Sequence, residues 1–103
     1  MSARNYASHL RRLSKYLPIR VKIVFVSGLE KGRNCIASCW KNKGRFLIEI
    51  DADLNDRDKR DCLIHEWAHA LAWGDESAHH DAAWGVQLSR CYRVAVEGWR
   101  PNQ

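Results

Sequence analysis

His65-Glu66-Trp67-Ala68-His69 sets two imidazoles four positions apart, with a carboxylate immediately after the first. On a helix, residues at that spacing share a face with their Cβ atoms about 5–6 Å apart. Both rings can then reach one cation at the zinc–nitrogen distance of about 2 Å. Glu66 sits one position along, outside direct coordination but close enough to act as general base toward a metal-activated water. The pattern H-E-x-x-H therefore points to metal-assisted hydrolysis, provided the segment is helical.

A tetrahedral catalytic zinc needs three protein ligands and one open position. The downstream residues able to complete the set are Asp75, Glu76, His79, His80, Asp81 and Glu97. Asp75 lies six residues after His69, but Ala72 stands where a sharp turn back to the metal would want glycine. Glu97 falls some 25 Å from His80 if one continuous helix joins them, at about 1.5 Å per residue. The histidine-rich end of that helix is thus the better source of a third ligand, with His79 and His80 both available.

The elements that must carry these residues can be read from periodicity. Tyr6, Leu10, Leu13 and Leu17 form one stripe of an amphipathic helix over Ala3–Leu17 that Pro18 stops. Three strand-like stretches follow, Arg20–Val26, Asn34–Trp40 and Arg45–Asp51. The short turn at Gly44 predicts that the second and third form an antiparallel hairpin. Leu63, Ile64, Trp67, Ala70 and Leu71 then recur at helical intervals, predicting a helix from about Asp56 to Trp73 around the histidine pair. Asp56 and Asp58 suit its positive N-terminal end, and Gly74 its exit. A last helix, with Ser77 as cap, runs from about Ala78 to Glu97 on the stripe Trp84, Leu88, Cys91 and Ala95.

His65-Glu66-x-x-His69, followed after a loop by His80-x-x-x-Trp84, resembles the SprT-like (Spartan-type) family of zincin metallopeptidases. The specific likeness covers residues 65–84, and the order of predicted elements is similar from the first strand onward. The resemblance implies that His65, His69 and His80 bind Zn2+, that Glu66 is the base, and that Trp84 packs under the turn bearing the third ligand. Asp81 stands where that family often has glycine after its third histidine. The expected fold is α+β: a compact zincin-like domain spanning residues 1–103, with an N-terminal helix, a three-stranded sheet containing an antiparallel hairpin, an active-site helix and a C-terminal helix.

Composition bounds the rest. A chain of 103 residues that is 46% hydrophobic builds one modest core. Apolar runs stay far short of the roughly 20 residues that cross a bilayer. The polar, cationic start of the chain lacks the apolar region of an export signal, which predicts a cytoplasmic protein. Cys35 and Cys39, four apart on one strand, would stand roughly 13 Å apart, too far for a disulfide. Reduced thiols are expected for these and for Cys62 and Cys91.

Trp67, Trp73, Trp84 and Trp99, at helical spacings, are expected in the core. Residues 1–50 hold eleven cations against two acids, and residues 51–103 six cations against ten acids. The basic N-terminal half allows attraction to nucleic acid. Two readings follow: a zinc-dependent metallopeptidase acting on a protein or peptide substrate, and a metal-binding nucleic-acid or protein adaptor on the same scaffold without peptidase activity.

Overall fold

The computed structural model describes residues 2–27, 37–73 and 82–100. Helix α1 (Ser2–Tyr16) is followed by strands β1 (Val21–Val26), β2 (Ala37–Asn42) and β3 (Arg45–Asp51), then by helices α2 (Asp56–Leu71) and α3 (Ala82–Ala95). Within the described residues this is a small α+β domain with three α-helices. None of them is long and apolar enough to cross a membrane.

The sheet has the order β1-β3-β2. Strand β3 lies in its middle, parallel to β1 in the register Val21↔Phe46 to Val26↔Asp51. Its other side pairs antiparallel with β2, from Ala37↔Ile50 to Asn42↔Arg45. Lys43 (φ 51°) and Gly44 (φ 77°) link those two strands with consecutive left-handed residues, the twist that two-residue turns between antiparallel strands require. The expected fold, a zincin-like sheet described by its antiparallel hairpin, is corrected here. The sheet is mixed, and its parallel β1/β3 ladder brings together strands separated by the whole of β2. Turn residues announce neighbours in sequence, whereas a parallel partner is reached by a crossover that leaves no local mark. Strand β2 also runs past the Asn34–Trp40 stretch to Asn42, and residues 34–36 lie outside the described residues.

Position in the sheet explains burial. Central β3 contributes the fully buried Ile48 and Ile50, and α2 covers them with Leu63, Ile64 and Trp67. The α1 stripe seats Leu13 and Leu17 in the same core, with Tyr6 and Leu10 packed beside them. From α3 come Cys91, Val94 and Ala95. Helix α2 is therefore covered on most of its circumference, by α1, α3 and the sheet.

Two polar contacts fix how the helices meet. Pro18 ends the first helical segment, and the indole of Trp67 donates across the core to the freed Leu17 carbonyl at 2.9 Å. The Arg12 guanidinium donates to the Ala95 carbonyl at the end of α3 at 2.8 Å, satisfying an acceptor that a helix C-terminus leaves open. Of the tryptophans expected inside, Trp67 is wholly buried, but Trp99 is 40% exposed and is corrected to a surface residue.

Candidate metal centre

Helix α2 is started by Asn55, an extended residue (φ −70°, ψ 168°) whose side chain accepts from the Asp58 amide at 2.8 Å. Asp56 and Asp58 occupy the first turn, where carboxylates meet the positive end of the helix. The cap residue was not picked out from sequence, although an Asn three positions before Asp58 was its available signal. At the other end the Ala72 amide closes back on Ala68. The segment carrying H-E-x-x-H is thus helical throughout.

One helical turn brings His65 and His69 together. Their Nε2 atoms lie 3.2 Å apart, with ring centroids at 4.9 Å and planes inclined by 64°. Two nitrogens held at about 2.0–2.1 Å from a tetrahedral ion stand about 3.3 Å apart. The pair therefore has the separation that one zinc ion asks of two imidazoles. His69 is buried, while the side chain of His65 is 37% exposed, so the pair opens to solvent on the His65 side. Helix α3 supplies a wall: the Trp84 ring lies 5.0 Å from His65 and 5.5 Å from His69 between centroids. Its indole nitrogen points to the His65 carbonyl at 3.4 Å.

Glu66 is buried, with one carboxylate oxygen 3.9 Å from His65 Nε2. Burial pushes its carboxyl up to about 7, because removing water disfavours the ionised form. Two thiols share its surroundings. Burial and then the Glu66 charge push Cys39, on β2, up to about 12. Cys62, one turn before Glu66, is pushed up to about 11 by burial first, then Glu66 and the acids at Asp58, Asp61 and Asp51. Cys39, Cys62 and Cys91 are free thiols. The approach of Cys39 to Glu66 was not legible in the sequence, since it depends on how the sheet packs under α2.

Of the expected ligands, His65 and His69 are brought together, and Glu66 lies beside them. His80 and its alternatives His79, Asp75, Glu76 and Asp81 fall outside the described residues. Glu97 follows the C-terminus of α3, the end opposite Trp84. Among the described residues no group of three His, Cys, Asp or Glu side chains forms a metal cage; the histidine pair supplies two ligands of the three. Comparison with known protein families gave no match, and none was found among curated proteins.

Proposed function

We propose that the chain is a zinc-dependent metallopeptidase of the SprT-like kind, working in the cytoplasm on protein or peptide substrates. The observation that carries this reading is the 3.2 Å separation of the His65 and His69 Nε2 atoms, with the Glu66 carboxylate 3.9 Å from the first of them. His65, His69 and, by the family resemblance, His80 would hold the ion. When bound, zinc supplies Lewis acidity toward a carbonyl oxygen and lowers the pKa of water.

The remaining work falls to the chain. Glu66 takes a proton from the attacking water onto its carboxylate and returns it to the departing amine nitrogen. Burial raises its pKa in the metal-free chain, and a bound cation would favour the carboxylate form that accepts the proton. Trp84 screens the imidazoles and fixes their ring planes. Strand β2, an edge strand among the described residues and packed against α2, would offer its outer backbone edge to an extended peptide, which would bind by adding a strand.

The test pairs elemental analysis with a cleavage assay on an unfolded protein substrate. Wild-type chain is expected to carry one zinc and cleave; Glu66→Gln is expected to keep the zinc and lose cleavage by 10²-fold or more. Zinc-free wild-type protein, or a Glu66→Gln variant that cleaves at the wild-type rate, overturns the proposal. His80→Ala and His79→Ala, assayed side by side for zinc, identify the third ligand by which of them loses it.

A further inference from the structure

At the far end of α3 from the histidine pair, four cations line one concavity. Arg11, Arg12 and Lys15 come from the last turns of α1, and Arg100 from the segment beyond α3. Gly98, at φ 74°, turns the chain back, and the Trp99 amide closes on the Arg93 carbonyl at 2.9 Å, which carries Arg100 over α1. The concavity holds about 240 Å³, and among the described residues no carboxylate lines it. Arg12 is anchored by its bond to the Ala95 carbonyl, and Lys15 lies 5.2 Å over the Tyr16 ring. Among the described residues, Arg11, Lys15 and Arg100 form no ion pair.

Four exposed cations around one hollow raise the local positive potential and attract an anion. A single carboxylate would offset one charge. A phosphate group carries up to two and presents several acceptor oxygens, which suits a hollow lined by three arginines and a lysine. We infer that this concavity is a phosphate-binding site, separate from the metal centre. From Trp84 to Val94 along α3 is about 15 Å at 1.5 Å per residue. The phosphate could belong to a small phosphorylated compound or to the backbone of a nucleic acid, and the two sources are separable by experiment. The inference does not depend on zinc or on Glu66.

Amide chemical shifts of the full chain followed by NMR during titration with inorganic pyrophosphate test it directly. Saturable shifts are expected at Lys15, Tyr16, Gly98 and Arg100. Arg11→Ala and Arg100→Ala should each weaken binding about tenfold or more, while Arg45→Gln, which removes an exposed charge from β3, should leave it within twofold. Arg11 and Arg100 are exposed, so these substitutions should leave the fold intact. A single-stranded oligonucleotide without terminal phosphate supplies the second arm. Competition with pyrophosphate that fades with added salt identifies a nucleic-acid backbone as the source; saturable pyrophosphate binding without competition identifies a small phosphorylated compound. Shifts that never saturate, shifts confined to residues 65–84, or equal weakening by Arg45→Gln overturn the inference.

Discussion

Glu66 joins function to stability at a single residue. Its carboxyl is raised from an ordinary 4.5 to about 7, so between those values the folded chain binds a proton that the unfolded chain has released. Folded stability is then greatest below pH 4.5 as far as this residue is concerned, and falls as pH rises through 7. The span corresponds to a loss of up to about 3 kcal/mol in the metal-free protein. Glu66→Gln removes the titrating group while keeping its shape. In chelator, this variant is expected to melt higher than wild type at pH 8 and within a degree or two of it at pH 4.5. Saturating zinc should shrink the difference at pH 8, because a nearby cation favours the carboxylate. Equal melting temperatures at pH 8 in chelator would show that water reaches Glu66 freely.

At the scale of elements, the helices were the legible part of the sequence. Leu13 in α1 and Leu17 just past its end, Leu63 and Trp67 in α2, and Cys91 and Ala95 in α3 all lie in the core, and each belongs to a helical stripe that periodicity exposes. Ends are less legible, because a cap such as Asn55 is one side chain and not a pattern. Asn55→Ala should cost about 1 kcal/mol in urea unfolding, whereas Asn55→Asp should cost little, since aspartate accepts the same amide.

Helix α3 matters to the metal centre through Trp84. Its ring touches both imidazoles, so Trp84→Ala is expected to weaken zinc binding about 10- to 100-fold, as the loss of groups that orient ligands does. Trp84→Phe should recover most of that affinity by keeping an aromatic wall. A competition titration with a zinc chelator measures both. Unchanged affinity in Trp84→Ala would reduce the tryptophan to ordinary packing.

The whole molecule depends on contacts between residues far apart in the chain, and there the sequence is least informative. The β1/β3 ladder joins residues 25 positions apart, and nothing in either strand names its partner. The contact of Arg12 with Ala95 and that of Trp67 with Leu17 are likewise set by packing, and Pro18 marks only where the first helix stops. That second contact offers the clearest test of how the core closes. In Trp67→Phe the Leu17 carbonyl loses its donor inside a wholly buried site, and the smaller ring leaves a void. The expected loss is about 2–4 kcal/mol, a large part of the roughly 5–15 kcal/mol that holds a domain folded. Urea denaturation should show a lower midpoint with an unchanged slope. Trp99→Phe on the surface serves as control and should stay within about 0.5 kcal/mol of wild type. Equal effects of the two substitutions would mean that α1 does not close on α2 through this bond, and that the core is held by apolar contact alone.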